Sequence, residues 1–461
     1  METILAKIKR FIPYSFLRLL EPTYHFCLAF LAALLYRFPS RKIAVIGVTG
    51  TKGKTTVVHL THDILGSSGA KVASISSLRF RIAGDEEVNR LKMTMPGRFF
   101  IQRFLRRALK AGCKYGVLEV TSQGIAQFRH RFIRFSAAVM TNVAPEHIEA
   151  HGSFELYLRS KLDLFWRLPK DAIAVVNRDD RSWPRFASST AAGRAFYSKE
   201  GIVANGKRWG ITDVRVGSKG IEFEIAGQTM RSSLLGEFNF YNILAAAAVG
   251  LGRGIAIEKI VSAIEVFNGL PGRMEFIRRE PFAVVVDYAH TPDSLKNVYT
   301  FLRESGSKLQ AAHSAEAAAS AGLLRRSSYG YEGWTKAGPS SKLICVLGSA
   351  GGGRDRWKRT EMGKIAAEQC DEVILTNEDP YDENPAQILS EIKSGITNNQ
   401  LPVTEEILDR REAIHAALQS ARAGDTVVIT GKGAEPWIMG RGGEKIPWDD
   451  RRVAREELEK L

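Results

Sequence analysis

The sequence predicts an α/β fold in which a P-loop central domain on a mostly parallel sheet precedes a smaller Rossmann-like α/β domain. Three observations predict it. A short apolar run rich in β-branched residues, Ile43–Val48, enters a glycine-rich bend and leaves in a helical pattern, VIGVTGTKGKTTVVHL (Val45–Leu60). Strand-like runs then alternate with helical stretches, first to about residue 177 and again from residue 283, the pattern of sheets covered on both faces. A chain of 461 residues, 44% hydrophobic and 25% charged, also holds more core material than one ordinary domain uses.

Along the chain, residues 1–40 read as a hydrophobic helical segment, 41–268 as the central domain and 269–461 as the C-terminal domain. Within the first segment, residues 11–38 carry an apolar run from about Phe26 to Tyr36 with basic flanks, shorter than a bilayer span. It reads equally as a helix on the inner membrane surface or as one packed on the neighbouring domain. Strands are expected at Ile43–Val48, Lys71–Ile75, Tyr115–Val120, Ala137–Thr141 and Ala172–Asn177, with a helix at Thr55–Leu65. Gly210–Ser233 alternates in short pieces, as edge antiparallel strands do, and two helices follow at Asn239–Leu251 and Ile255–Phe267. Gly269–Arg273, GLPGR, reads as a hinge. The second unit has strands at Ala283–Asp287, Leu343–Leu347, Val373–Thr376 and Thr426–Thr430, interrupted by a small, polar insertion at 304–341.

A net charge of +15 favours anionic partners. With no aromatic-basic recognition module, a phosphorylated small molecule explains it, and no nucleic acid is expected. Four widely spaced cysteines (Cys27, Cys113, Cys345, Cys370) argue against a zinc site or a disulfide framework and fit a reducing cytoplasm.

The bend between Thr49 and Thr55 has the parts of a phosphate loop. Gly50 and Gly53 let backbone N–H groups approach phosphate oxygens, Lys54 adds a point charge, and the Thr55 hydroxyl is placed to ligand Mg²⁺. The generic spacing would put its first glycine at Val48; Gly47 and Gly50 flank that position instead. The loop alone does not choose between a hydrolase, a kinase and a ligase.

GTKGKTT (Gly50–Thr56) resembles the phosphate loop of the Mur ligase family and its relative folylpolyglutamate synthase. Later segments agree with that family in order: EVTSQGIAQFR (Glu119–Arg129), TNVAPEHIEAHG (Thr141–Gly152), SKLDLF (Ser160–Phe165), GEFNFYNILAA (Gly236–Ala246), GLPGRMEFI, VVDYAHTPDSL (Val285–Leu295), GGGRDRWKR and GKGAE (Gly431–Glu435). The resemblance implies that ATP phosphorylates a substrate carboxylate and that an amino acid's amine attacks the acyl phosphate to form an amide. It implies catalytic roles for Lys54, Glu119, His147 and Lys161, and two Mg²⁺ sites drawing on Thr55, Glu119, His147 and Lys161, with Lys161 carbamylated. ATP contacts are implied at Gly50, Thr51, Lys52, Gly53, Lys54, Thr55, Thr56, Asn239, Asn242, Arg273, Asp287, Tyr288 and His290. Asn239 and Asn242 would otherwise be helix caps, and His151 is a weaker rival to His147.

The implied substrates are UDP-N-acetylmuramoyl-dipeptide or a related muropeptide and a free amino acid. Thr94, Ser122, Gln127 and Arg129 match muropeptide-holding positions, and Arg354, Asp355, Glu378, Asp379, Tyr381, Gly431 and Glu435 match amino-acid-holding ones. Gln123 stands where many relatives have histidine. Tyr381 stands where diaminopimelate-adding members have the arginine that binds a distal carboxylate, while two extra acids, Glu378 and Asp379, favour an amine-bearing side chain. Only about forty residues precede Ile43, where the family usually has a uridine-holding domain. The expectation is therefore a ligase of peptidoglycan precursor synthesis in the cytoplasm or at the inner membrane surface. The alternatives are a folylpolyglutamate- or poly-amino-acid-synthesising relative and a non-catalytic nucleotide-binding partner of wall assembly.

Overall fold

The computed structural model describes residues 14–91, 93–146, 151–217, 219–304, 341–353, 355–396 and 404–461. Elements run in the order α1 (Tyr14–Leu35), β1 (Ala44–Thr49), α2 (Lys54–Ser67), β2 (Val72–Ile75), β3 (Arg79–Ile82), β4 (Asp85–Val88), α3 (Arg98–Lys110), β5 (Tyr115–Glu119), α4 (Ser122–Ala126), β6 (Phe135–Met140), α5 (Phe154–Trp166) and β7 (Ile173–Asn177). Then come α6 (Trp183–Ser188), β8 (Gly193–Ser198), β9 (Gly201–Ala204), β10 (Lys207–Gly217), β11 (Gly220–Ile225), β12 (Gln228–Ser232), α7 (Glu237–Gly252) and α8 (Ile257–Glu265). These build one sheet of order β12-β11-β10-β9-β8-β7-β6-β1-β5-β2-β3-β4. Its middle, from β8 to β2, is parallel, and antiparallel strands extend both ends.

Parallel strands need both faces covered, and the residues supply that. Val57, Leu60 and Ile64 of α2 and Ile243, Leu244 and Ala247 of α7 pack on one face. Ile101, Phe104 and Leu105 of α3 and Leu158, Leu162 and Phe165 of α5 cover the other. The strands expected from the apolar runs appear within one or two residues of their places. The charge-rich hairpin β3–β4, RFRIAGDEEV, is not among the expected elements; β3 pairs with β2, and β4 with β3.

The second sheet contains β13 (Glu275–Arg278), β14 (Ala283–Asp287), β15 (Leu343–Leu347), β16 (Glu372–Leu375), β17 (Thr404–Glu406) and β18 (Thr426–Thr430), in the order β13-β14-β18-β15-β16-β17. All neighbours are parallel except β13 with β14. Helix α9 (Trp357–Gln369), α10 (Pro385–Lys393) and helical residues 292–304 pack on one face, and α11 (Arg410–Ser420) and α12 (Asp450–Leu458) on the other. Strands β19 (Trp437–Met439) and β20 (Lys445–Pro447) form a small ribbon. The sequence order reverses between β15 and β18, so a crevice opens at their carboxyl ends.

A buried pair braces that crevice. Arg410 Nε and Nη2 donate to both carboxylate oxygens of Asp450 at 2.8 and 2.7 Å, and Nη2 also donates to Thr430 O at 2.8 Å. GLPGR, read as a hinge, is closely packed at Gly272, where a Cβ would lie 2.2 Å from Ala434 N.

Two expectations need comment. Disulfides were set aside from cysteine spacing, yet Cys345 and Cys370 are joined. They stand 25 residues apart, but the crossover through α9 returns the chain beside β15, and only the fold makes them neighbours. The insertion expected at 304–341 falls almost wholly outside the described residues, as do His147 and Arg354. Among the described residues no helix is long and apolar enough to cross a membrane.

Candidate active site

Strand β1 lies between β5 and β6, pairing Val48 with Glu119 and Thr49 with Met140. The phosphate loop therefore leaves the sheet with Glu119 on one side and Thr141–Asn142 on the other. It is held tightly there. Lys52 N donates to Asn142 Oδ1 (2.9 Å), Thr141 Oγ1 donates to Lys52 O (2.7 Å), and the Thr51 and Tyr157 hydroxyls meet at 2.9 Å. Gly53, at φ 81°, caps α2, and a Cβ there would fall 2.1 Å from Asn242 Oδ1. Glycine is required on both counts.

Lys54 Nζ donates to Gly50 O (3.0 Å) and Thr51 O (2.7 Å), and Lys161 Nζ, from α5, donates to the same Gly50 O at 2.7 Å. Lys161 also sits 4.4 Å from the centre of the Tyr157 ring. Burial first, and the neighbouring Lys54 second, hold the Lys161 amine well below the ordinary lysine value. Burial lowers Lys54 too, with Glu119 and Glu146 opposing.

Thr55 Oγ1 donates to Glu119 Oε2 at 3.0 Å and meets Ser77 Oγ at 2.9 Å; Ser77 N donates to the same carboxylate oxygen at 3.0 Å. Burial raises the Glu119 carboxyl, and Lys54 opposes the shift. These are hard oxygen donors of the kind magnesium takes. No group of three His, Cys, Asp or Glu side chains suited to a metal occurs among the described residues. Thr56 is buried in the first turn of α2. His151 Nε2 lies 3.1 Å from Ser122 Oγ.

Asn239 and Asn242 are not caps. The N-cap of α7 is Gly236, and the two amides form a buried chain, Asn242 Nδ2 to Asn239 Oδ1 (2.9 Å) and Asn239 Nδ2 to Leu235 O (2.8 Å). Arg273 stacks 3.9 Å above the Tyr288 ring, and its buried Nη1 has no hydrogen-bond partner. Asp287 accepts from Met274 N and Ala289 N at 2.7 Å each, so its carboxylate orders the turn that carries Arg273. His290 Nδ1 donates to Tyr288 O at 2.7 Å, and burial holds its ring neutral.

The crevice of the second sheet gathers the described residues expected to hold the amino acid. Gly431, at φ 108°, leaves room for Glu378, whose Oε2 would lie 2.5 Å from a Cβ there and is itself unpartnered. Burial, then the neighbouring Asp379, raises the Glu378 carboxyl. Asp379 accepts from Lys432 Nζ (2.7 Å) and Met439 N (2.8 Å), so this second acid is already engaged in the fold. Lys432 also donates to Glu435 Oε2 (2.6 Å), and Tyr288 OH donates to Glu435 Oε1 (3.1 Å). The Tyr381 ring lies against Gly352, and Asp355 is buried at φ 40°.

Among the residues expected to hold the muropeptide, Thr94 is half-buried between Met93 and Met95, and Arg129 donates to Met95 O and to Gln127 Oε1. Sequence reasoning missed Ser77, Asn142, Tyr157, Glu146 and Lys432. Lys432 sits inside GKGAE and was open to notice. Asn142 and Glu146, which accepts from Lys52 Nζ at 2.9 Å, lie inside TNVAPEHIEAHG and were equally in view, whereas Ser77 and Tyr157 gain their roles only by folding against the loop.

A glycine-rich loop at the centre of one parallel sheet and a second α/β sheet carrying the half-buried Arg273 fit the class of nucleotide-using enzymes. The Mur ligase middle domain model matches residues 48–250, and the Mur ligase glutamate ligase domain model matches 272–323 and 328–433. The chain belongs to the Mur ligase family and is an ATP-dependent amide ligase. It is 36% identical over 440 residues to the UDP-N-acetylmuramoyl-L-alanyl-D-glutamate–2,6-diaminopimelate ligase of Thermosynechococcus vestitus, covering 93% of this chain and 79% of that one. It is 37% identical to the same ligase of Gloeobacter violaceus, covering 93% and 80%. A solved diaminopimelate ligase structure aligns at 29% identity and TM-score 0.57, covering 91% of this chain and 78% of that one. Mycobacterium tuberculosis folylpolyglutamate synthase, at 16% identity and TM-score 0.65 over 88% and 92%, shares the fold.

Proposed function

We propose that this ligase joins an amino acid to a UDP-N-acetylmuramoyl-peptide of peptidoglycan synthesis, through an acyl phosphate. The observation that carries the reading is the convergence of Lys54 and Lys161 on Gly50 O beside the Thr55–Glu119 pair. A substrate carboxylate oxygen attacks the terminal phosphorus of ATP and ADP departs. The amino acid's nitrogen then attacks the acyl carbon and phosphate leaves. Such chemistry asks for fixed positive charge around the moving phosphoryl group rather than a protein nucleophile. Lys54 and the loop N–H groups hold the outer phosphates, and Arg273 supplies a further cation.

Two Mg²⁺ sites belong to this reading: Thr55 and Glu119 would hold one, and Lys161, with His147 from outside the described residues, the other. When bound, the ions neutralise charge on phosphoryl oxygens. A buried neutral Lys161 amine suits attack on CO₂: the N–C bond forms as one C=O π pair moves onto oxygen and the nitrogen loses a proton, so a neutral amine becomes an anionic carbamate. Carbon-13 resonance of protein equilibrated with labelled CO₂ tests the carbamate; absence of a lysine-linked signal overturns it.

The incoming amino acid is read as one with a distal amine, as in the diaminopimelate named for its relatives. The unpartnered Glu378 carboxylate supports this, whereas Tyr381 offers no pair for a distal carboxylate. Mass spectrometry of the product from ATP, UDP-N-acetylmuramoyl-dipeptide and mixed amino acids decides it. Product with folate and glutamate alone would defeat the whole reading.

The same proposal includes contact with an anionic membrane through α1. Its outer face exposes Phe30, Leu31, Leu34 and Leu35, and the exposed Arg37, Arg41 and Lys42 follow directly. Flotation with phosphatidylglycerol vesicles but not phosphatidylcholine vesicles is expected, and equal flotation with neither overturns it.

A further inference from the structure

At the start of α3, two arginines gather with no carboxylate bonded to either among the described residues. Helix α3, RFFIQRFLRRALK, has no acidic residue in its first turn, and its N-cap is Gly97, which has no side chain to cap the free N–H groups. Arg98 is its first residue. Arg98 Nη2 donates to Gln127 O at 2.5 Å, and Arg129 Nη2 donates to Gln127 Oε1 at 2.5 Å, so both guanidiniums lie on one residue.

Neither arginine has a carboxylate partner among the described residues, and the Nε of each is buried without a hydrogen bond. Arg129 acts on Arg98 as a like charge, and both guanidiniums are partly desolvated. From α1, His25 adds an imidazole whose nitrogens are buried without hydrogen bonds; Glu21 Oε1, the acid nearest it, lies 3.4 Å away and is 60% exposed. Arg98 and Arg129 both act on that ring. Two half-buried arginines repelling each other cost stability unless an anion joins them. A helix N-terminus aimed at the same place adds favourable field for that anion.

We propose that His25, Arg98 and Arg129 form a subsite for the diphosphate of the muropeptide substrate. The inference rests on the ligase reading above and extends it to the far end of the acceptor, since Gln127 and Arg129 are muropeptide positions. The planar forks of two arginines match the paired oxygens of a diphosphate diester. That linkage occurs in a sugar nucleotide and in a polyprenyl-linked sugar alike, and α1 lies beside the site in either case.

The test is calorimetric titration of the full chain with UDP-N-acetylmuramoyl-dipeptide, its polyprenyl-diphosphate counterpart in detergent, and the phosphate-free N-acetylmuramoyl-dipeptide. The wild type is expected to bind a diphosphate form at least about tenfold tighter than the phosphate-free one, the scale of one charge-assisted contact. Whichever diphosphate form binds tighter names the source. Arg98→Ala is expected to collapse that ratio towards one, and Arg98→Lys to retain most of it.

A wild type without preference, or an Arg98→Ala ratio equal to the wild type's, overturns the proposal. Should Arg98→Ala fail to melt cooperatively, the wild type is titrated at low and high salt; only diphosphate binding is expected to weaken, and equal weakening overturns the subsite. ADP release is followed in parallel. An intact preference with no turnover on any acceptor sinks the ligase reading and leaves the subsite standing.

Discussion

Lys54 and Lys161, from different helices, donate to one oxygen, the Gly50 carbonyl, at 3.0 and 2.7 Å. Two ammonium groups so close in a buried setting repel, which is why burial and Lys54 together press Lys161 toward its neutral form. Removing Lys161 therefore removes the group that distinguishes this loop from an ordinary nucleotide grip. Lys161→Ala is expected to lower amide formation by at least about 10²-fold, the usual scale for losing one preorganised charge-stabilising group. Added formate or acetate is expected to restore part of it. Full activity in Lys161→Ala contradicts the assigned role.

Gly53 and Asn242 set a second expectation. Gly53→Ala places a methyl 2.1 Å from the Asn242 amide oxygen at a left-handed backbone angle. The angle alone costs about 1–2 kcal/mol. ADP affinity and melting temperature should both fall. Gly53→Ala with Asn242→Ala should recover part of the loss, because only the collision is relieved; no recovery would locate the defect in the backbone angle alone.

Arg410→Ala leaves Asp450 charged, buried and unpaired beneath the strand that ends at Thr430. Breaking one partner of such a pair costs about 3–5 kcal/mol. Denaturant unfolding is expected to show a loss of that size, and a change below about 1 kcal/mol would mean the pair is exchanged for water at little cost.

His59 and His62 on α2 give a pH signature. Burial first, then Arg81, brings both rings down to about 3. The folded chain holds them neutral while the unfolded chain protonates them near pH 6.5, so the unfolded state binds two more protons between about pH 6.5 and 3. Stability is fully present above that window and is lost as pH falls through it, by up to about 2.7 kcal/mol per unit from the two rings together. Melting curves of the wild type and His59→Gln, in which one titrating ring is gone, should differ in slope below pH 6.5 and converge in slope above it.

Much of this protein was legible in its residues. The apolar runs located the parallel strands, because a strand buried on both faces must be continuously hydrophobic, and GTKGKTT located the phosphate loop because only glycine tolerates those backbone angles. The charged hairpin Arg79–Val88 escaped the same reasoning, since β3 is extended by pairing with β2, and β4 by pairing with β3, rather than by their own pattern. The cysteines misled for a related reason: spacing along the chain says nothing about Cys345 and Cys370 meeting across a crossover.

The sequence by itself determined the fold class and the family and located the glycine-rich loop, all of which rest on local periodicity and contiguous motifs. Tertiary structure alone decided that Lys161 shares a carbonyl with Lys54, that Asp379 is spent on Lys432 while Glu378 stays unpartnered, and that Arg98 joins Arg129. Those are relations between charges far apart in the chain. Their energies depend on burial and on distances of a few ångströms, which exist only once the sheets and helices have closed around them.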